Sequence, residues 1–179
     1  DPRKLVRALE EEVGDALARE LGAELAKLHR ITPDAAPADL AFLPPPPVNI
    51  VAARLAEFRR RLDALPEAQP VLEWAVNRLE DEAPHYARGA DAIRLCHRDF
   101  RTGNYLVDDA KLSGVLDFEF AGWSDPYEDL GWFCARCWRF GMYGAEAGGI
   151  GGREAFYAGY EAAGGMPVDD AKVRFWEQM

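Results

Sequence analysis

The sequence predicts an α+β domain, predominantly helical, with a small β-hairpin near its middle. Two observations give this class. Apolar residues recur at helical spacing before residue 90 and again after Asp117. Between them the period changes, and Ile93-Arg94-Leu95-Cys96, Tyr105-Leu106-Val107 and Leu112 to Leu116 form short β-type runs. A third observation is length. A chain of 179 residues suits one domain with its own core, and residues 1–179 read as a single domain without internal repeats.

Each element has a local cause. Leu17, Leu21, Leu25 and Leu28 form one apolar stripe that ends near His29. Thr32-Pro33 stops that helix, because the residue before a proline is pushed out of the α region. Pro44 to Pro47 form a stiff extended connector. Asn49 is placed as the N-cap of a second helix with Val51, Leu55, Phe58, Leu62 and Leu65 on its apolar face and Arg59, Arg60 and Arg61 on its solvated side. A third helix is predicted from Pro70 to about Glu82, with proline in its first turn. Asp108-Asp109-Ala110-Lys111 reads as a hairpin turn, although it lacks the favoured Asn-Gly or Asp-Gly pair. Asp125-Pro126-Tyr127-Glu128 starts another helix, with Asp as N-cap, Pro at N1 and Glu at N3. Its buried stripe is predicted as Leu130, Phe133, Cys134, Cys137 and Gly141. Gly144 to Gly152 is a loop, and two more helices follow, near Arg153–Ala163 and from Asp169 onward.

Composition excludes several classes of function. The net charge of −10 argues against a nucleic-acid partner, since phosphate backbones are gripped by stripes of Lys and Arg. No stretch approaches the roughly 18–20 apolar residues of a membrane span, and the first residues lack a signal-peptide pattern. Three cysteines without a repeating framework suit a reducing, cytoplasmic setting. Cys134 and Cys137 have zinc-ligand spacing, but no second pair accompanies them and both sulfurs are expected on an apolar stripe. His29 and His85 are isolated, with cap or surface roles expected. Eight acids and three bases fall between Cys96 and Asp129, half of the chain's charge excess. Such a cluster attracts metal ions and, more weakly argued, a cationic substrate.

The chemistry is concentrated in residues 95–119. His97-Arg98-Asp99 opens a loop, Asn104 follows Asp99 by five residues, and Asp117 ends a hydrophobic strand thirteen residues after Asn104. Phosphoryl transfer needs a group that accepts or aims the nucleophile's proton, and oxygen ligands for Mg²⁺ bridging the nucleotide phosphates. Asp99 suits the first need, and Asn104 and Asp117 the second. Taken singly each has an ordinary reading, because Asp and Gly-Asn are common turn formers. The order loop, strand, turn, strand and carboxylate is the more specific signal. His97 is expected to support the loop by hydrogen bonding, and Glu119 is a weaker candidate for substrate or metal contact.

His97 to Asn104, Leu116-Asp117-Phe118-Glu119 and Asp125-Pro126-Tyr127-Glu128-Asp129-Leu130-Gly131-Trp132 together resemble the aminoglycoside phosphotransferase family of kinase-like enzymes. The close match covers residues 93–141, and the helices on either side fit more loosely. The resemblance implies an ATP- and Mg²⁺-dependent O-phosphotransferase acting on a hydroxyl of a small molecule, aminoglycoside-like or another amine or sugar. By motif it implies that Asp99 is the catalytic base and that Asn104 and Asp117 bind metal and nucleotide. Asp129 falls where the family has a buried Asp bracing the loop. The implied layout is a protein-kinase-like C-terminal lobe with catalytic loop 97–104, metal-binding segment 116–119 and helical substrate region 126–179.

Two departures accompany this resemblance. The family usually carries a small residue where this chain has Arg98, for which a carboxylate partner or a substrate anion is expected. Second, nothing before His97 resembles a sheet lobe with a glycine-rich loop and a Lys–Glu pair. The N-terminal lobe is therefore expected to be missing, and the isolated chain to have little or no transferase activity. The competing reading is a non-catalytic kinase-like binding module.

Overall fold

Seven α-helices surround two separate antiparallel ribbons in the computed structural model, which describes residues 1–179. Helices α1 (Pro2–Ala8), α2 (Glu11–Leu28), α3 (Ile50–Asp63) and α4 (Pro70–Tyr86) precede the strands β1 (Arg94–Cys96), β2 (Tyr105–Asp108), β3 (Lys111–Val115) and β4 (Gly122–Ser124). Helices α5 (Pro126–Cys134), α6 (Arg153–Ala162) and α7 (Asp170–Trp176) follow.

The leucine stripe of α2 is the spine of the core. Leu17, Leu21 and Leu25 are fully or almost fully buried and share one cluster with Phe133, Phe156 and Tyr160, each contributing about 1.5–3 kcal/mol through burial. Helices α2 and α6 approach so closely that a Cβ at Gly22 would overlap the Phe156 carbonyl, and one at Gly159 would overlap that of Arg19. The N-caps read from the sequence at Asn49 and Asp125 form, accepting from Ala52 N at 3.0 Å and Tyr127 N at 3.0 Å.

The strands differ from the simple hairpin. Pairing of β2 with β3 occurs as expected, with a bulge between Leu106 and Val107. Its turn uses Asp109 and Ala110, both with positive φ (45° and 59°), the backbone of a type I′ turn made without glycine. However, β1 joins neither strand. It pairs with β4, in register Arg94↔Ser124 to Cys96↔Gly122, a strand with no β-type run of its own. The loop 97–104 thus bridges two ribbons instead of being carried by one hairpin.

Four further differences concern the helices and their side chains. A first helix, α1, precedes the leucine stripe, and α4 runs past Glu82 through Pro84. The helix after Asp125 ends at Cys134, because Ala135 is extended (φ −61°, ψ 139°). Cys137 therefore leaves the apolar stripe and is exposed, while Cys134 is buried. Arg59 is not merely solvated. It bonds Glu80 at 2.6 Å and Asn77 at 2.7 Å, clamping α3 to α4.

Candidate active site

Asp129, in the first turn of α5, organises the loop after β1. It is completely buried, and its carboxylate accepts from the backbone N–H of His97 (2.7 Å) and of Arg98 (2.6 Å). Those bonds hold Arg98 at φ 65°, a left-handed conformation that costs a residue with a Cβ about 1–2 kcal/mol. The third donor is His29 Nε2 at 3.0 Å, whose Nδ1 accepts from the Tyr160 hydroxyl at 2.9 Å. His29 is only 5% exposed, so the surface or cap role expected for it is incomplete. Cys96 lies against the same knot. Burial first, then the Asp129 charge, push its thiol well above the ordinary value.

His97 is also fully buried and fastens the loop to the strand that ends near Asp117. Its Nε2 donates to Leu116 O at 2.8 Å, and its Nδ1 accepts from Asp99 N at 3.3 Å, a pattern that fixes the neutral tautomer with the proton on Nε2. Leu116 N donates to Asn104 O at 2.8 Å. Leu116 is thereby tied to both ends of the loop, and Asp117 is the next residue.

The Asp99 carboxylate is held from three sides. Arg101 Nε donates to both oxygens at 3.1 Å, Asn104 Nδ2 donates to Oδ2 at 2.6 Å, and Trp132 Nε1 donates to Oδ1 at 2.9 Å. Asn104 Nδ2 also reaches Asp99 O at 2.9 Å, closing the loop on itself. Gly103, at φ 119°, makes the turn into Asn104. Thr102 anchors the underside through its hydroxyl, which donates to Gly148 O at 2.6 Å. Gly148 must be glycine there, because its φ is 59° and a Cβ would lie 2.5 Å from the Phe133 ring and 2.6 Å from Thr102 Oγ1.

Asp117 adopts φ 68° and ψ 57° and is exposed, and its carboxylate accepts no hydrogen bond from the protein. Asn104 has committed its amide nitrogen to Asp99 and leaves its side-chain oxygen without a protein donor. Two oxygen donors, one charged and one neutral, suit a hard divalent cation such as Mg²⁺. Glu119 is exposed in a 3₁₀ turn, and no side-chain bond ties it to the loop.

The acidic cluster is less bare than its count suggests. Asp99 is paired with Arg101, Asp125 with Arg88 at 3.1 Å, Glu128 with Arg54 at 3.1 Å, and Asp129 with His29. Arg98 Nε stands 3.5 Å from Glu128 Oε1, so the carboxylate neighbour expected for it is present. Three residues of this site escaped the sequence reading. Arg101 was visible as a base two residues past Asp99. Trp132 carries no local sign of its bond to Asp99, and His29 reads as a cap or surface residue, so tertiary contacts alone reveal their partners.

The architecture places the chain among kinase-like phosphotransferase folds. It aligns with a macrolide 2′-phosphotransferase type I at a TM-score of 0.67 and 22% identity, over 90% of this chain and 50% of that one. Macrolide 2′-phosphotransferase MphH from Brachybacterium faecium aligns at 0.66 and 22%, over 96% and 53%. A streptomycin–ATP–APH(2″)-IIa ternary complex aligns at 0.58 and 19%, over 89% and 52%. Residues 1–176 match the phosphotransferase enzyme family, APH. The chain belongs to that family. It spans about half the length of these solved relatives. Comparison with curated proteins finds no match. No helix is long and apolar enough to cross a membrane.

Proposed function

We propose that this chain is the acceptor- and metal-holding half of an ATP- and Mg²⁺-dependent O-phosphotransferase that acts on a small-molecule alcohol. The observation that carries the reading is the fixed Asp99 carboxylate. Arg101, Asn104 and Trp132 orient it through two accepted bonds on each oxygen, and its side chain stays 12% exposed, open to an incoming hydroxyl that would displace one of these donors. Asp99 would take or aim the acceptor proton, a contribution of about 10²–10⁴ in rate. Arg101, bonded to that carboxylate, is placed to offset charge on the group in transfer. Asn104 and Asp117 would hold Mg²⁺, which would supply positive charge to neutralise the nucleotide phosphates.

Leu116, Phe118 and Phe120 are 41%, 48% and 54% exposed around Asp117. We read this apolar face as the seat of the nucleotide-covering lobe, which agrees with the half-length match to the relatives. The solved relatives named for macrolides, and the complex with streptomycin and ATP, support a hydroxylated small-molecule acceptor and ATP as donor.

The test is calorimetric titration of the full-length protein with ATP, with and without Mg²⁺, repeated on Asp117→Ala. Loss of the Mg²⁺ effect in the variant supports the reading. An unchanged Mg²⁺ effect favours the non-catalytic binding module.

A further inference from the structure

We infer that the acceptor alcohol carries an anionic group, a carboxylate or a phosphate ester, gripped by Arg98, next to Arg54 and beside the Asp99 loop. This deepens the proposed function and rests on it for the identity of the ligand as an acceptor. It replaces the cationic substrate that the acid count had suggested.

Two cavities meet at this arginine pair. One, of about 300 Å³, is walled by Arg54, Arg98, Phe58, Trp132 and Trp176, and the other, of about 180 Å³, by Arg54, Arg98, Trp123 and the proline run. The larger lies one indole from the catalytic carboxylate, because Trp132 lines it and donates its ring N–H to Asp99 Oδ1 at 2.9 Å. A molecule in the cavity therefore lies against the indole that orients Asp99, while its far end reaches the arginines.

Charge decides the sign of that far end. Glu128 Oε2 is already committed to Arg54 Nε and Nη2, at 3.3 and 3.1 Å, and to the Ser124 hydroxyl. Glu57, also in the wall, is shared between Arg61 and Arg54 Nη1, the latter at 3.3 Å. The wall thus sets three arginines against two carboxylates, and Arg54 is tied to both of them. The arginine with donors to spare is Arg98, which stands 3.5 Å from Glu128 Oε1 without a hydrogen bond to it. Its Nε is buried without a hydrogen-bonded acceptor, and no other side-chain nitrogen of Arg98 donates to the protein. A guanidinium with its planar fork of donors unused fits a carboxylate or phosphate in bidentate fashion. The aromatic walls accommodate the hydrocarbon between anion and hydroxyl.

The backbone supports the assignment. Arg98 is held in a left-handed conformation by Asp129, so the side chain that points into both cavities is positioned by the same bonds that shape the loop.

The test uses the chain itself and four matched probes: 5-hydroxypentanoate, 5-hydroxypentyl phosphate, 5-aminopentan-1-ol and pentane-1,5-diol. Binding is read from the Trp132 indole N–H signal in ¹⁵N-resolved NMR spectra. Saturable shifts are expected with one or both anionic alcohols, and which of them binds separates carboxylate from phosphate. The amine and the diol should bind at least tenfold more weakly. Arg98→Gln should weaken the anions at least tenfold, and Arg98→Lys should recover part of that loss. Equal or tighter binding of the amine or diol, no shift with either anion, or anion binding indifferent to Arg98→Gln would overturn the inference. The probe comparison in the unaltered chain decides the matter even if a variant fails to fold. The readout needs neither nucleotide nor metal. Anion binding without a Mg²⁺-dependent nucleotide response removes only the transferase reading, and the converse removes only the anion site.

Discussion

His29 Nε2 donates to Asp129 Oδ2 at 3.0 Å across 100 residues of chain, joining the end of α2 to the start of α5. The same carboxylate receives two loop amides. Replacing Asp129 with Ala strands these buried donors, each worth about 1–3 kcal/mol when unpaired. We expect Asp129→Ala to lower stability by about 3 kcal/mol or more in urea unfolding, with His29→Ala costing less. A loss below 1 kcal/mol for Asp129→Ala would show that the knot does not brace the loop.

Arg101 spans two partners, the Asp99 carboxylate and the Trp138 ring 4.5 Å away. A cation–π contact at a partly exposed site is worth about 0.5–1 kcal/mol. Arg101→Ala should therefore cost little stability yet reduce the phosphotransfer proposed for the full-length protein at least tenfold. Equal loss in both would assign Arg101 a structural role alone.

The thiols should separate by burial. Burial pushes Cys134 up to about 12 and Cys96 well above the ordinary value, while Cys137 is raised less and is exposed. Since the thiolate is the reactive form, iodoacetamide at pH 8 should label Cys137 in the native protein and leave the other two until unfolding. Mass spectrometry of the digested protein reads this directly.

Two carboxyls should give stability opposite slopes with pH. The hydrogen bond from Arg153 pulls Glu146 below its ordinary value of 4.5. Its contribution is present above that value and is lost as pH falls through the depressed folded value. Burial raises Asp125 above 3.8 against the pull of Arg88. The folded state then binds that proton more tightly, so a penalty present at neutral pH is relieved as pH falls through the raised value. The gap between wild type and Glu146→Gln, about 1 kcal/mol at pH 7 for a carboxylate one-third exposed, should close below pH 4.5. Asp125→Asn, which keeps a capping side chain, should gain most relative to wild type at pH 7 and lose that gain on acidification. Parallel profiles of Tm against pH for the two variants would refute this assignment.

The close crossing of α2 and α6 gives a further expectation. A methyl at Gly22 meets the Phe156 carbonyl, backbone that cannot swing aside. Gly22→Ala should cost about 1–3 kcal/mol, although alanine is the better helix former. A stabilised Gly22→Ala in thermal unfolding would mean that the helices can part without loss.

Much of this arrangement is legible from local chemistry. The caps at Asn49 and Asp125, the leucine stripe of α2 and the extended prolines follow from side chains acting on their own backbone. The spacing of Asp99, Asn104 and Asp117 likewise marks the loop within the sequence itself. What escapes has non-local causes. Three residues, Gly122–Ser124, become a strand only because β1 lies beside them. Ala135 leaves the helix even though Cys137 continues its apolar spacing. His29 and Trp132 carry no local sign of their partners, since their hydrogen bonds reach residues 100 and 33 positions away. The left-handed backbone at Arg98, held by Asp129 from 31 positions away, is likewise not displayed by a pattern of residue types.

Pro44, Pro45 and Pro47 border the smaller arginine cavity, and each proline has its φ locked before the chain folds. With the proposed anion in place, this rim would therefore surrender little conformational freedom. It would not wrap around a molecule of the wrong outline, so discrimination at that edge would work by exclusion, in the manner of a rigid gauge.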